Sequence, residues 1–249
     1  MATNHEMNYY DYAKTLSAEG IMLVLSRGEN PEPEPEPKPE ELEFIDMGLP
    51  SGLLWATCNI GASAPEETGL YFAWGETQGY TSGQVGTDKY FAWEGEHADY
   101  EFGEWVDQQP DYGMTKYNSV DGLETLESED DAATVNCGSD CRMPKDEEFD
   151  ELFENTDTAW TIRNGVNGLL LTSNVEGHED DSLFFPLAGG AEGGNIFGVG
   201  EEGGYWTSSL SLGGCEYAYL FLLNSYCRDK TDSERCSGYV IRPVRSQNL

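Results

Sequence analysis

Basic residues are scarce in this 249-residue chain: 13 lysines and arginines stand against 47 aspartates and glutamates, a formal charge of −34. A surface of that sign repels phosphate backbones and anionic headgroups, so neither nucleic acid nor a membrane surface is an expected partner. The same charge has a plainer use, which is to keep a crowded or extracellular protein soluble. Long apolar runs are missing too. The longest near the start, Ile21 to Leu25, is far short of the ~20 residues of a transmembrane helix, so no membrane insertion is expected. Residues 1–20 lack a basic stretch followed by an apolar one and do not read as a secretory signal. No cysteine precedes Cys58, which removes the expectation of an N-terminal lipoprotein anchor.

Catalytic and metal signatures are equally thin. Histidine occurs three times, at His5, His97 and His178, and never beside a cysteine. The six cysteines (Cys58, Cys137, Cys141, Cys215, Cys227 and Cys236) match no zinc spacing. Cys137 and Cys141 could bridge in a tight loop or equally remain thiols. Ser208 and Ser209 lack the flanking glycines of a nucleophile elbow. The glycines from Gly189 to Gly204 have neither Walker nor dinucleotide spacing and no lysine for phosphate. The acidic pairs Asp130/Asp131 and Glu179/Asp180/Asp181 read as solvated surface. No cofactor is expected; calcium at one of these pairs stays open, although neither has a full ligand pattern.

What the chain does have is glycine (29), tyrosine (14) and tryptophan (6), the composition of a loop-rich globular protein packed by aromatics. Three segments follow from the pattern. Residues 1–29 carry Tyr9, Tyr10, Tyr12 and the Ile21–Leu25 run, too little to bury a core alone, and read as an attachment or oligomerisation segment, or as a tail without consequence. Residues 30–42 hold the alternation Pro31-Glu32-Pro33-Glu34-Pro35-Glu36-Pro37-Lys38-Pro39. Fixed φ angles and like-charge repulsion make this an extended, semi-rigid spacer. Residues 43–249 form the globular domain. Within it, Pro144 and the acidic first turn of Lys145–Phe153, with Phe149, Leu152 and Phe153 on one face, predict a helix whose cap falls to Asp146 in the absence of Ser or Thr. Leu169–Thr172 and Ser182–Pro186 read as strands.

An ordered series of motifs runs through the domain. It opens with Phe44-Ile45-Asp46-Met47-Gly48-Leu49-Pro50-Ser51-Gly52-Leu53-Leu54-Trp55-Ala56-Thr57-Cys58-Asn59-Ile60-Gly61 and continues with Tyr71-Phe72-Ala73-Trp74-Gly75-Glu76. Asp130-Asp131-Ala132-Ala133, Arg142-Met143-Pro144, Tyr205-Trp206-Thr207-Ser208-Ser209 and Gly238-Tyr239-Val240-Ile241-Arg242-Pro243-Val244 complete it. Over Glu43 to Arg245, about four fifths of the chain, this series resembles the paralogous C-type-lectin-like domains of gut Bacteroidetes and their phages. That family shares its fold with formylglycine-generating enzymes and with the variable proteins of diversity-generating retroelements. The resemblance implies an α+β domain of small, twisted antiparallel sheets with one or two helices. It makes Trp55, Trp74, Trp206, Arg242 and Pro243 structural and gives the C-terminal segment the ligand-facing surface. Family members often carry tryptophans before Arg142-Met143-Pro144, where this chain has Cys137 and Cys141.

On this reading the ligand-binding residues are Leu210, Leu212, Cys215, Tyr217, Leu220, Leu222, Asn224, Tyr226, Arg228, Lys230 and Arg235. As a strand, 218–227 would turn Tyr219, Phe221 and Leu223 inward beside Trp206 and leave Leu220, Leu222, Asn224 and Tyr226 in solvent, unless both faces are covered. Residues 228–237 read as an exposed loop whose Arg228, Lys230 and Arg235 make a positive spot, or pair with Asp229, Asp232 and Glu234. Leu210, Leu212, Cys215, Cys227 and Cys236 are residues that replacing adenines in an asparagine codon can produce. Enzymatic relatives use an activated cysteine, but Cys215, Cys227 and Cys236 lie where variation is expected and no histidine adjoins them, so no enzyme is expected. The expected role is a receptor- or ligand-binding protein on a virion, as a tail or head fibre, held to other virion proteins through residues 1–29. It would grip a host cell-surface glycan or protein, as a homo-oligomer. The alternatives are a structural decoration protein, whose Leu220/Leu222/Tyr226 face a neighbour would cover, and an extracellular or cell-surface bacterial adhesin.

Overall fold

The computed structural model describes residues 42–247 apart from 105 and 108. Residues 1–29, expected to serve attachment or oligomerisation, and the expected spacer 30–42, save Leu42, lie outside the described residues. The architecture is α+β, made of small antiparallel sheets and two α-helices among the described residues. No helix there is long and apolar enough to cross a membrane.

The two ends of the domain meet in one four-stranded sheet. β1 (Phe44–Asp46) pairs with β2 (Leu53–Ala56), β2 with the last strand, β12 (Val244–Ser246), and β12 with β3 (Cys141–Arg142). Gly52, at φ +70°, closes the turn into β2, its N–H bonded to Leu49 O at 2.8 Å; left-handed backbone favours glycine there. A second sheet runs β4 (Thr156–Arg163), β5 (Val166–Ser173), β6 (Ser182–Pro186), and so contains both segments predicted as strands. β7 (Gly190–Glu192) and β8 (Asn195–Phe197) make a hairpin inside the glycine-rich region. The third large element is the sheet β9 (Glu202–Leu210), β10 (Tyr217–Asn224), β11 (Arg228–Glu234), with β11 outermost.

Two apolar clusters lie on either side of β10. Phe221 and Leu223 join Trp55, Phe149, Phe185 and Tyr205 in one; Ala218 and Leu220 join Trp74, Trp206, Tyr117 and Ile241 in the other. The expected alternation is therefore overturned. Trp206 sits directly across from Leu220 rather than beside Phe221, and Leu220 is 2% exposed. A strand sandwiched on both faces reads as a continuous apolar run, and Tyr219–Leu223 is such a run. Leu222 is half-buried against the second cluster. The supposed loop 228–237 is also corrected: its first seven residues are β11.

The predicted helix is α2 (Asp146–Glu154), but Asp146 is not its cap. Lys145 occupies that position and its backbone N–H is taken by Glu148 Oε2 at 2.8 Å. Asp146 instead accepts Ser209 Oγ at 2.7 Å and Lys230 Nζ at 2.8 Å. Phe149 and Phe153 stack on Phe221 at 4.9 and 4.8 Å between centroids. A second helix, α1 (Ala132–Cys137), is capped by Asp131, which accepts from Ala133 N and Thr134 N and also from Met143 N. Asp131 is thus buried and structural, not solvated surface; burial raises its carboxyl above the usual range while these N–H donors pull it back. All six cysteines are thiols, and Cys141 Sγ points to Cys137 O at 3.6 Å, not to a partner sulfur.

Trp55, Trp74, Trp206 and Arg242 are fully buried. Arg242 has no carboxylate partner among the described residues. Its Nε donates to Asn59 Oδ1 (2.8 Å), Nη1 to Ala56 O and Thr57 O, and Nη2 to Phe184 O (3.0 Å), and the guanidinium lies 4.4 Å over Phe185. A delocalised, weakly hydrated cation spreads this charge over carbonyl dipoles and a ring, clamping β2 to β6. The adjacent Pro243 is buried and its carbonyl accepts Ala56 N at 2.9 Å.

Candidate functional site

The residues expected to bind ligand fall into three groups. Leu220 and Arg235 are inside the protein. Arg235 is wholly buried, stacked 4.9 Å from Trp74, 5.5 Å from Tyr100, and 5.7 Å from both Phe102 and Tyr117. It follows β11 directly, and the chain turns inward there: Trp74 N donates to Arg235 O at 2.8 Å. The positive spot therefore dissolves. Arg235 is core, Lys230 is paired with Asp146, and Arg228 alone of the three is exposed without an ion pair among the described residues.

The second group lies at the β9–β10 end of the sheet. Leu210 is half-buried against the second cluster. Leu212 is 83% exposed, with its N–H on the Tyr219 hydroxyl at 3.3 Å. The Cys215 thiol donates to Asp111 O at 3.3 Å; burial pushes it up to about 11, so it is no thiolate near neutral pH. Tyr217 and Tyr219 are half-buried, and Lys230 lies 4.8 Å over the Tyr219 ring.

The third group, Asn224 and Tyr226, lies at the opposite end, where the β10–β11 turn meets residues that were not expected. Tyr226 is 97% exposed. It lines a cleft of about 660 Å³ together with Trp160, Ile162, Asn167, Leu187, Glu201 and Glu202. The cleft follows from the register of the β4–β5 hairpin. Thr158 lies opposite Leu171, Trp160 opposite Leu169 and Ile162 opposite Asn167, so all share one face of the sheet. At Leu169 and Leu171 that face is covered by the core; at Trp160 (44% exposed) and Ile162 (68%) the cover runs out. Asn164 and Gly165 make the hairpin tip, both at positive φ, the geometry of a type I′ turn. Asn167 Nδ2 donates to Gly200 O at 2.9 Å, tying the hairpin to the glycine turn before β9. Asn224 Oδ1 accepts Tyr226 N and Cys227 N, both at 2.9 Å, and so holds the turn that presents Tyr226. The sequence carried a signal for this site: alternation through Trp160 and Ile162 ending in Asn164-Gly165, which is a hairpin signature.

Chemically, the cleft offers two aromatic faces and an aliphatic wall, amides at Asn167 and Asn224, carboxylates at Glu201 and Glu202, and no cation in its lining. Rings bind C–H faces, and the carboxylates and Asn167 Oδ1 can accept from hydroxyls, whereas Asn224 Oδ1 is taken up by the turn. An anionic ligand would meet two carboxylates.

The acidic residues that could hold a metal also resolve. Glu127, Glu129 and Asp130 bring carboxylate oxygens within 4.8 Å of one another, but Lys116 Nζ stands among them at 2.7, 3.3 and 2.6 Å. The ammonium holds the position a divalent cation would need. In the other group, Asp181 accepts from His178 Nδ1 at 2.9 Å.

Comparison with protein-family models, with curated proteins and with solved structures finds no match to this chain. The resemblance to C-type-lectin-like domains rests on the sequence motifs alone.

Proposed function

We propose that this chain is a displayed binding protein of C-type-lectin-like fold, not an enzyme. In this reading it belongs to a phage tail or head fibre, held through residues 1–29 and projected by the Pro/Glu spacer. Its ligand is a host cell-surface glycan, taken in the cleft between the β4–β5 hairpin and the β10–β11 turn. The observation that carries the reading is the exposed ring pair Trp160 and Tyr226 around a cleft with amide and carboxylate acceptors and no cation. Aromatic platforms with a few converging polar groups are how proteins hold neutral polyhydroxylated ligands, and exposed apolar groups gathered in one place mark binding sites. Variation also fits best here. Tyr226 and Arg228 at this end, and Leu212 at the other, are exposed enough to be replaced without touching the core, which a diversified surface requires. A decoration protein without ligand would have the Leu220/Leu222/Tyr226 face covered by a neighbour, whereas Leu220 is already covered by this chain's own core.

The test is binding of the full chain to an array of neutral and anionic glycans, followed by affinity measurement on the retained sugars. Trp160→Ala and Tyr226→Ala are expected to weaken binding at least tenfold with unchanged melting temperature. Glycan binding that survives both substitutions, or retention of anionic glycans alone, refutes the assignment of the cleft.

A further inference from the structure

Among the described residues β11 is an edge strand with no neighbour on its outer side, seven residues long and without proline or glycine. Its hydrogen-bonding direction can be read from the turn. Asn224 N donates to Cys227 O at 2.9 Å across the two-residue turn Ser225-Tyr226, so bonded pairs fall at alternate positions along the ladder. They are Leu222 with Asp229, Leu220 with Thr231, and Ala218 with Ser233. The N–H and C=O groups of Arg228, Lys230 and Asp232 therefore face the open edge, as does Glu234 N–H, while Glu234 O accepts Ser237 N at 2.9 Å. Consistently, Lys230 N is satisfied only by the neighbouring Asp229 Oδ1, at 2.8 Å.

Those four outward residues carry the charges plus, plus, minus, minus. Read backward about Thr231, the order is the same with every sign inverted. A second copy laid antiparallel, with a two-fold axis at Thr231, puts Arg228 opposite Glu234 and Lys230 opposite Asp232, each twice; Lys230 is already paired with Asp146 and Asp232 accepts Ser211 Oγ, so the Arg228–Glu234 pairs are the new ones. In that register Lys230 and Asp232 meet as backbone-bonded pairs, and Glu234 N–H reaches Arg228 O of the other copy. Moving the axis by one residue sets Lys230 against Lys230 or Asp232 against Asp232, and parallel pairing in register sets every charge against its like. One arrangement alone is complementary throughout.

A separate observation points the same way. Glu234 is half-buried near Glu94, Glu192 and Glu216, with no cation paired to any of them among the described residues, and Glu216 Oε2 is buried without a hydrogen-bond partner. Burial and those neighbouring carboxylates raise the Glu234 carboxyl above its usual range. Arg228, at the other end of the strand, is an exposed cation without an ion pair among the described residues.

We propose that β11 is a two-fold interface at which a second copy of this chain adds its own β11, joining two three-stranded sheets into one of six strands and bringing each Arg228 to the other copy's Glu234. The pairing does not depend on what the cleft binds. An edge contact of this length buries less than the ~1,200 Å² of a typical stable interface, so association is weak and concentration-dependent.

The experiment is sedimentation equilibrium of the full chain over a range of concentrations, together with cysteine cross-linking. At the axis, Thr231 faces its own copy as a non-bonded pair with Cα atoms about 4.5 Å apart, whereas the two Asp229 residues are several positions apart. Thr231→Cys is expected to form an intermolecular disulfide under mild oxidation, and Asp229→Cys and the wild type are not. Arg228→Glu, on an exposed side chain, is expected to weaken dimerisation at least tenfold while leaving the melting temperature unchanged. Equal cross-linking of the two cysteine variants, a dimer indifferent to Arg228→Glu (as one held by residues 1–29 would be), or a wild type monomeric at every concentration overturns the proposal.

Discussion

Arg235 offers the sharpest test of the fold, because its sequence context and its place in the structure demand opposite behaviour. As an exposed ligand residue it could be removed at no cost to stability. In the structure Nε donates to the Tyr100 hydroxyl at 2.9 Å, and Nη1 to Cys215 O (2.8 Å), Lys116 O (3.1 Å) and Tyr117 O (3.3 Å). Four rings surround the guanidinium, and Tyr100 OH passes the network on to Trp74 O at 2.7 Å. Arg235→Ala would strand three carbonyls in a ring-lined void and take one donor from the Tyr100 hydroxyl, which keeps its bond to Trp74 O. Each stranded group costs about 1–3 kcal/mol, and these costs are not additive. Emptying a side chain of that size from the core also costs about 2–5 kcal/mol for the cavity it leaves. Against a total stability of about 5–15 kcal/mol for a domain, this is a large share. For a domain of this size each kcal/mol shifts the melting temperature by about 2–4 °C, so a fall of roughly 10 °C is expected by calorimetry. Nη2 finds no acceptor among the described residues, so the charge is incompletely compensated by them. Arg235→Met, which keeps contact with the rings, should therefore lose about half as much. A fall below about 3 °C for Arg235→Ala would refute the reasoning, as would a Met variant worse than the Ala variant.

Three further outcomes follow from the same kind of argument. His178 Nδ1 meets Asp181 Oδ2 at 2.9 Å and Asp46 O at 3.1 Å, and these acceptors raise the imidazole above its ordinary 6.5, the hydrogen bond to Asp181 first. A folded-state value above the unfolded one means the contact's stabilisation is full below about pH 6.5 and is lost as pH rises through the folded value. The gap in melting temperature between wild type and His178→Ala should thus narrow from pH 5.5 to 8.5, and a constant gap would contradict this. Lys116→Ala would leave Glu127, Glu129 and Asp130 in mutual repulsion. Millimolar calcium should raise that variant's melting temperature and leave the wild type unmoved, and a calcium response in the wild type would mean that the ammonium does not hold the site. Burial holds the Cys137 thiol at about 12 and those of Cys141 and Cys215 at about 11, so at pH 8 thiolate is on the order of one in a thousand or less. These three should react with a disulfide reagent far more slowly than in denaturant, and a reductant should leave the melting temperature unchanged; fast labelling of any of the three in the native state would argue against their burial.

Legibility of the chain divides along the range of its interactions. The helix Asp146–Glu154 and the strands around Leu169–Thr172 and Ser182–Pro186 are announced by patterns contained within them, and the structure has all three. β10 is a strand, as its residues imply, but its facing was not readable. Alternation gives phase only when one face meets water, and Ala218–Leu223 is buried or half-buried at every position. Arg235 was illegible for a different reason. Its sequence neighbours are polar, while the rings that enclose it come from positions 74, 100, 102 and 117, and no local pattern encodes a box assembled over that span. Asp131 misled in the same way, since a capping carboxylate and a solvated one look alike until the helix it caps is known.

The corrected facing also changes where a variable surface can lie. A stripe along β10 would have offered one continuous site from Leu220 to Tyr226. With Leu220 in the core and Leu222 half-covered, the exposed positions separate into Leu212 beside the β9–β10 turn and Tyr226 in the β10–β11 turn. Eight residues of β10 lie between the turns, a span of roughly 25 Å at ~3.3 Å per residue. One sugar ring cannot reach both ends. The cleft beside Tyr226 has an apolar wall because the β4–β5 hairpin carries Trp160 and Ile162 past the edge of the core at that end. Ligand selectivity should therefore follow residues 225 and 226 and the hairpin wall, while substitution at Leu212 alters a separate patch. Exchanging Tyr226 for other aromatics should retune the preference among neutral glycans, and exchanging Leu212 should leave that preference as it was. A change of preference produced by Leu212 alone would restore the continuous stripe and remove the cleft from the binding site.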